Sequence, residues 1–315
     1  MDMTAGEFPY RLPGQKILVT GASGFIGSHL CRRLCRGGME VHAISRTKPA
    51  NPEKGVHWWH GDLAEIATVQ DLLAAVKPEV IFHLAGHVVG ARDLDAVMST
   101  FRSNLMSTVN LLTVAGQIGC RRLVVTGSLE EPEQGDPEAV PSSPYAAAKW
   151  AGSAYARMFH ALYKLPVVIL RVFMVYGPAQ RDLRKLIPYV ILSLLRGEAP
   201  KLTSGQRPVD WIYVEDVVEG LLAAAQAADV DGRTIDIGSG ELVPIRTVVE
   251  QLVRLIDPQL KPLFGALPER PLEQVRVANI ARAHAMMGWK PITPLEEGLK
   301  HTVEWYKRRL KELAP

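Results

Sequence analysis

A short apolar run that turns through three evenly spaced glycines constrains the fold of this chain more than any other feature. Residues 17–20 form the run, and Gly21, Gly24 and Gly27 follow it. The run is typical of a strand buried on both faces. A glycine at the turn leaves no Cβ between backbone and ligand, and the helix that begins there presents unpaired N–H groups and its positive dipole end to an anion. The sequence therefore predicts a phosphate-binding turn.

Apolar runs alternate with amphipathic stretches along the part of the chain that follows. Strand-like runs lie at 17–20, 41–44, 56–59, 80–86, 123–126 and 167–173, and most segments between them have helical spacing, including a long one at 97–112. This alternation predicts an α/β fold with a doubly wound parallel sheet. Beyond Gly177 the pattern loosens into helices near 186–195 and 214–225, a strand at 234–237 and a terminal helix. We therefore expect a smaller C-terminal lobe, partly interleaved with the sheet domain.

The composition argues against several classes of protein. A formal net charge of +3 over 315 residues is too small to indicate nucleic-acid binding. No apolar run approaches the roughly 18 residues that a membrane span needs, and the first residues lack the basic start and apolar core of a secretory signal. Three cysteines do not suggest a disulfide framework. We expect a cytoplasmic protein with no metal site, poorly ordered before Gln15.

Two side chains at helical spacing suggest acid–base chemistry. Tyr145 and Lys149 are four residues apart near the start of a predicted helix, so they share one face. An ammonium near a phenol favours the phenolate, and we expect Lys149 to lower the pKa of Tyr145. Ser128 follows the fifth strand, and ligands of an open parallel sheet lie beyond the carboxyl ends of its strands. The glycine turn, Ser128 and Tyr145 are therefore predicted to converge on one crevice.

These motifs together resemble the extended short-chain dehydrogenase/reductase family of nucleotide-sugar epimerases, dehydratases and reductases. The resemblance covers nearly the whole chain, through TGASGFIG, GDL, HLAG, the Asn104 region, SPYAAAK, RVFMVYGP and the late GWKP. It implies a Rossmann domain over 1–177, which also receives about 211–239, and a substrate-binding lobe formed mainly by 178–210 and 240–315. It also implies a homodimer through the helices that carry residues 97–112 and Tyr145.

The resemblance implies roles for the matching residues. Tyr145 would exchange a proton with a sugar hydroxyl or ketone, Lys149 would also hold the nicotinamide ribose, and Ser128 would hydrogen-bond the reacting oxygen. The implied cofactor contacts, besides Tyr145 and Lys149, are Gly21, Ser23, Gly24, Phe25, Ile26, Gly27, Asp62, Leu63, Leu84, Ala85 and Gly86. The candidate substrate contacts are His87, Arg207 and Arg270, each with a structural or solvated role as the alternative.

The end of the second strand indicates which nicotinamide dinucleotide to expect. Sites that prefer NAD usually place an acid there, whereas an arginine accommodates the 2′-phosphate of NADP. This chain has Ser45 and Arg46 at that place, and no acid before Glu53. A charge-assisted contact between phosphate and guanidinium contributes about 1.5–3 kcal/mol. The sequence therefore predicts that NADP(H) is preferred, with NAD as the alternative and a solvated Arg46 as the structural explanation.

The loop after the fifth strand bears on the reaction. Its residues TGSLEE, with Ser45-Arg46 and the late GWKPITPLEEGL, resemble those of GDP-4-keto-6-deoxymannose reductases. Glu130 occupies the position of an acid that helps related 4,6-dehydratases to eliminate water, but Leu129 stands where the glucose-type dehydratases have Asp.

Two further departures bear on the substrate. Met174 stands where the family has an Asn that touches the substrate diphosphate, and Arg207-Pro-Val-Asp210 replaces an adjacent Arg-Asp pair. The expected function is NADP-dependent reduction of a nucleotide-diphosphate 4-keto-6-deoxyhexose. The alternatives are a 4-epimerase or a 4,6-dehydratase that retains NAD(P), and a non-catalytic dinucleotide-sensing protein.

Overall fold

The structure is a computed structural model that describes Leu12 and residues 15–47, 52–88, 92–132, 138–269 and 272–313. Its strands are β1 Lys16–Thr20, β2 Glu40–Ser45, β3 Val56–His60, β4 Val80–His83, β5 Arg122–Ser128, β6 Val167–Val172, β7 Met174–Tyr176, β8 Pro208–Tyr213, β9 Thr234–Ile237 and β10 Leu242–Pro244. The stretch before Gln15, expected to be poorly ordered, lies outside the described residues apart from Leu12.

The helices lie between the strands and at the C-terminal end. They are α1 Phe25–Arg36, α2 Ile66–Val76, α3 Asp95–Thr100, α4 Ser107–Ile118, α5 Pro144–Tyr163, α6 Leu186–Leu195, α7 Val214–Gln226, α8 Ile245–Ile256, α9 Ile280–Met287 and α10 Leu295–Leu313. A π-helical segment, Phe101–Met106, joins α3 to α4. The described ranges contain no helix long and apolar enough to cross a membrane. In the same ranges no group of three or more His, Cys, Asp or Glu side chains is placed to hold a metal ion.

Seven parallel strands form the main sheet in the order β3-β2-β1-β4-β5-β6-β9. Successive side chains of a strand point to opposite faces, so Leu18 packs in the apolar layer that contains residues of α2, α4 and α5. Its neighbour Val19 packs in the opposite layer, with residues of α1 and α7. The predicted doubly wound α/β fold is therefore confirmed.

A second, three-stranded sheet has the order β10-β8-β7. The amino-acid pattern of residues 208–213 did not predict a strand there. Strand β8 is recognised from its pairing with β7 and β10 in the structure. A third apolar cluster surrounds this sheet and includes residues of α6, α8 and α10. The chain enters this part after β6 and returns to the main sheet at β9.

The helix expected over 97–112 is interrupted by the π-helical segment. Hydroxyl groups there bond back to carbonyls four residues earlier: Ser103 Oγ to Ser99 O at 2.7 Å, and Ser107 Oγ to Ser103 O at 2.7 Å. Such bonds compete with the regular backbone ladder and loosen it. The apolar periodicity of the segment carries no sign of this change, so the sequence predicted one continuous helix.

Candidate active site

The glycine turn leaves the N-terminus of α1 open to an anion. Gly24 precedes the helix in extended conformation, without a side-chain cap, and the first turn contains no acidic residue. A Cβ on Gly21, whose φ is 70°, would lie 2.6 Å from Ala85 N, and a Cβ on Gly27 would strike the Gly21 carbonyl oxygen. The absence of both side chains brings α1 close to the ends of β1 and β4. This arrangement fits the diphosphate of a dinucleotide.

The predicted cofactor segment Leu84–Gly86 lies between the glycine turn and Lys149. A Cβ on Gly86 would lie 3.3 Å from Asn104 Oδ1 and 3.8 Å from Lys149 Nζ. Buried Asn104 fixes the next residue, because His87 N donates to Asn104 Oδ1 at 2.5 Å and Asn104 Nδ2 donates to His87 O at 3.1 Å. The His87 side chain is exposed. The sequence named Asn104 only within a motif, so its place in the π-helix and its hold on this loop were missed.

A buried histidine, His83, connects the carboxyl ends of β1 and β4 to α4. His83 Nδ1 lies 2.8 Å from Thr20 Oγ1, and its Nε2 lies 2.9 Å from Thr108 Oγ1. Burial, aided by the charge of Lys149, lowers the pKa of His83 to about 3. The ring is therefore neutral, and it connects β1, β4 and α4 without acting as an acid or a base.

Ser128, Tyr145 and Lys149 meet at the carboxyl end of the main sheet. Ser128 ends β5, and the Tyr145 phenol shares a side-chain hydrogen bond with it. The first turn of α5 is fixed by the cap at Ser143, whose Oγ accepts from Ala146 N at 3.2 Å. Lys149 Nζ donates to the Thr126 carbonyl oxygen at 2.8 Å. Tyr145 and Ser128 are therefore in contact, while Lys149, one turn further along α5, binds the backbone of β5 two residues before Ser128.

The expected lowering of the Tyr145 pKa is absent from this structure. Burial, opposed by the hydrogen bond from Ser128 and aided by the nearby carboxylates of Glu131 and Glu130, raises the pKa of Tyr145 to about 12. Lys149 instead directs its ammonium to Thr126, and burial lowers the lysine pKa to about 8. Tyr145 is therefore protonated here and can donate a proton.

Glu131 is a buried acid that sequence reasoning passed over in favour of Glu130. Glu131 Oε1 accepts from Ser128 N at 2.7 Å and from Ser153 Oγ at 3.1 Å, and burial raises its pKa. Glu130 belongs to the loop, since its Oε2 accepts from Ser142 Oγ at 2.9 Å. Glu131 therefore holds the strand end that carries Ser128, and its place in TGSLEE was the one available signal.

The residues predicted to contact the adenosine part of the cofactor lie side by side. β2 and β3 are neighbours, and Gly61 N donates to Ser45 O at 3.2 Å, so Asp62 and Leu63 follow directly beside the end of β2. Leu63 is buried and Asp62 partly exposed. The next residue of the β2 end, Arg46, is exposed and forms no ion pair with any residue that the structure describes. Arg46 is thus free to receive a phosphate.

Of the two predicted substrate arginines, Arg207 lies among the described residues. Arg207 lies just before β8 in the second sheet, where its Nε pairs with Glu273 Oε2 at 2.8 Å. Arg270 lies outside the described residues. Met174 begins β7 and packs between two apolar clusters.

Asp210 lies on β8, a few residues after Arg207, and has a structural role. Its buried carboxylate accepts hydrogen bonds from Ser239 N at 2.6 Å, Ser239 Oγ at 2.8 Å, Gly240 N at 3.1 Å and Ala278 N at 2.9 Å. The carboxylate therefore joins three segments that are distant in the sequence. The altered Arg-Pro-Val-Asp sequence gave no sign of this clamp.

Comparisons with known proteins place these features in a family. The sequence model of the NAD dependent epimerase/dehydratase family matches residues 17–238. The UDP-glucose 4-epimerase of Mycolicibacterium smegmatis is 31% identical over 312 residues, which cover 93% of this chain and 99% of that protein. The resemblance to the extended short-chain dehydrogenase/reductase family is thereby confirmed.

Solved structures with the same fold extend over nearly the whole chain. The UDP-glucose 4-epimerase of Thermotoga maritima, solved with UDP-glucose, has a TM-score of 0.86 at 25% identity and covers 94% of this chain and 99% of its own. MoeE5, solved in complex with UDP-glucose and NAD, has a TM-score of 0.82 at 31% identity and covers 94% and 99%. These similarities support the α/β assignment across both sheets.

Proposed function

We propose that this chain, which belongs to the NAD dependent epimerase/dehydratase family, is a nucleotide-diphosphate-sugar 4-epimerase that retains a nicotinamide dinucleotide. The observation that carries the proposal is the meeting of Ser128, Tyr145 and Lys149 close to the segment Leu84–Gly86, which packs on the glycine turn. Three of the matching relatives act on UDP-glucose or were solved with it, by their names, which supports a UDP-hexose as the substrate.

Each side chain of the cluster has a task in such a reaction. The bound nicotinamide supplies the hydride acceptor and donor. The open N-terminus of α1 would hold the cofactor diphosphate, and Lys149 would hold the ribose. Ser128 Oγ would donate to the C4 oxygen of the sugar, while Tyr145 Oη, once it has lost the proton that it holds in this structure, would accept the proton of that oxygen and return it. The C-terminal lobe expected over 178–210 and 240–315 would bind the remainder of the substrate, with Arg207 as a candidate contact there and His87 as a candidate beside the cofactor segment.

The dehydratase alternative lacks support in the loop after β5. Elimination of water needs an acid beside the leaving hydroxyl. Leu129, which stands at that position, is 6% exposed and packs in the apolar core. Glu130 is the other candidate acid, and its carboxylate already accepts the Ser142 hydroxyl.

The 4-keto reductase predicted from the sequence is the second candidate. It is favoured by exposed Arg46, because a reductase consumes a soluble reduced cofactor and NADPH carries the 2′-phosphate that an arginine binds. A 4-epimerase, by contrast, returns the hydride to its substrate and consumes no cofactor.

The two candidates are separated by one pair of assays. Purified protein is incubated with UDP-glucose and NAD, and the C4 epimer is followed by NMR. In parallel, NADPH oxidation is followed by absorbance with nucleotide-diphosphate 4-keto-6-deoxyhexoses. Formation of UDP-galactose without net oxidation supports the epimerase. Stoichiometric NADPH oxidation and no UDP-galactose would replace it with the reductase.

Replacing Arg46 by Ala is expected to weaken NADP binding about ten- to a hundredfold, because a charge-assisted contact worth about 1.5–3 kcal/mol is removed. NAD affinity should change only a few-fold, since NAD lacks the phosphate. Titration of both oxidised cofactors measures the difference, with Arg254→Ala on exposed α8 as the control. Equal weakening for both cofactors would show that Arg46 does not select the 2′-phosphate, and no change for either would make it a solvated charge.

The chain is expected to form a dimer in solution at micromolar concentration. Exposed apolar side chains lie on α3, the π-helical segment and α5, which pack together: Met98, Phe101, Met158, Leu162 and Tyr163. Leu162 is 64% exposed, and burying it against a second copy would stabilise a two-fold assembly. Light scattering should show a dimer that Leu162→Glu dissociates and that Leu242→Glu, on β10, does not. A monomeric wild type would disprove the proposal.

A further inference from the structure

A cavity lined by arginines lies at the outer edge of the main sheet. Its volume is about 450 Å³, and it is enclosed by α5, β6, β9 and the segment that leads into α9. Five arginines and a single acidic residue, Asp236, contribute to the lining. The arginines are Arg157, Arg171, Arg233, Arg276 and Arg282. We call this space the arginine cavity; the proposed reaction uses none of its residues.

The charges of three of these arginines, Arg157, Arg171 and Arg282, are at most partly compensated by the protein groups that the structure describes. Asp236 Oδ1 pairs with Arg171 Nη1 at 3.3 Å, yet Arg171 Nε is buried and has no hydrogen-bond partner in the described part of the chain. Arg157 forms neither a hydrogen bond nor an ion pair with the described residues, although Glu131 lies close enough to attract its charge. Crowded guanidinium groups repel one another unless an anion lies between them.

Helix α9 adds to the positive potential. It begins beside the cavity, where Asn279 accepts from Arg282 N at 3.0 Å, and its first turn contains no acidic residue. The positive end of its dipole therefore lies near a cavity-lining cation, Arg282, which no carboxylate among the described residues neutralises. The N-terminus of α9 and the arginine side chains of the cavity therefore both favour an anionic ligand.

We propose that the arginine cavity binds a small phosphate-bearing anion. Guanidinium groups match the geometry of phosphate oxygens and pair with them in a bidentate way. The lining residues include no aromatic side chain on which a base would stack, which favours a phosphate or diphosphate without base recognition. This inference is independent of the proposed reaction, because its residues and its test lie outside the Ser128 and Tyr145 cluster.

The test is calorimetric titration with inorganic pyrophosphate at low ionic strength, with NAD present to occupy the glycine turn. Wild-type protein should show a binding step that the double variant Arg157→Gln/Arg282→Gln weakens about tenfold or more, since each lost charge-assisted bond costs roughly that factor. Arg308→Gln, on exposed α10, is the matched control and should leave this step unchanged. Titration with a sugar phosphate then tells whether an organic phosphate is preferred.

Two results would overturn the proposal. One is wild-type protein whose affinity for pyrophosphate is no higher than that of the double variant. The other is an equal loss in Arg308→Gln, which would indicate general charge attraction. Arg282 is exposed, so the single variant Arg282→Gln is expected to fold. If the double variant does not fold, pyrophosphate titration of this single variant tests the proposal instead.

Discussion

Replacing Tyr145 by Phe is expected to lower turnover by about 10²–10⁴-fold, the usual contribution of a general acid–base group. The change removes only the hydroxyl that shares a hydrogen bond with Ser128. The ring remains packed at the start of α5, and Lys149 keeps its bond to the Thr126 carbonyl oxygen. Folding and cofactor affinity should therefore stay near the wild-type values while the chemical step is lost.

The measurement compares turnover and dinucleotide affinity in wild type, Tyr145→Phe and the control Tyr155→Phe. Tyr155 lies on the same helix and is 41% exposed, so loss of its hydroxyl should leave turnover unchanged. A loss below about tenfold in Tyr145→Phe would contradict its role as the proton-transferring residue. A matching loss of cofactor affinity would instead indicate that the hydroxyl positions the cofactor.

Asp210→Ala is expected to lower the free energy of unfolding by about 3 kcal/mol or more, because each buried donor left without a partner costs about 1–3 kcal/mol. The donors are the backbone N–H groups of Ser239, Gly240 and Ala278. Asp210→Asn keeps one carbonyl oxygen and loses the other acceptor, so a smaller effect is expected. The three segments that Asp210 joins should separate at lower denaturant concentration.

Urea unfolding followed by circular dichroism measures the change as a shift of the midpoint with an unaltered slope. Asp71→Ala, on the exposed face of α2, is the control and should stay within about 0.5 kcal/mol of wild type. A loss below about 1 kcal/mol in Asp210→Ala would mean that water replaces the carboxylate, and the clamp would then have little part in stability.

The sequence predicted the elements whose signals are local. The run before Gly21 and the alternation that follows identify the main sheet, and the rule that ligands lie at the carboxyl ends of parallel strands places Ser128 near Tyr145. Glu131, the strand at 208–213 and the π-helical segment were missed. Each depends on contacts between distant segments or on hydroxyl groups that bond back to the backbone.

The expected lowering of the Tyr145 pKa was wrong, and Arg207 has an acidic partner that the sequence did not indicate. The pKa of Tyr145 rises instead of falling because the phenol is buried, and Lys149 does not offset this because its ammonium binds the backbone of β5. Arg207, a predicted substrate contact, pairs with Glu273 from a segment more than sixty residues away. Spacing along a helix predicts that two side chains are neighbours, but the partner that a charge selects is decided by the whole fold.

The return of the chain to the main sheet has a consequence for protein synthesis. Ile169 of β6 pairs with Thr234 of β9, so the edge beside β6 stays open until the intervening lobe has left the ribosome. An unpaired edge strand is a template for other chains. A nascent chain that stalls after residue 177 would therefore expose the edge of β6, and we expect it to need a chaperone until the short strand β9 pairs with β6.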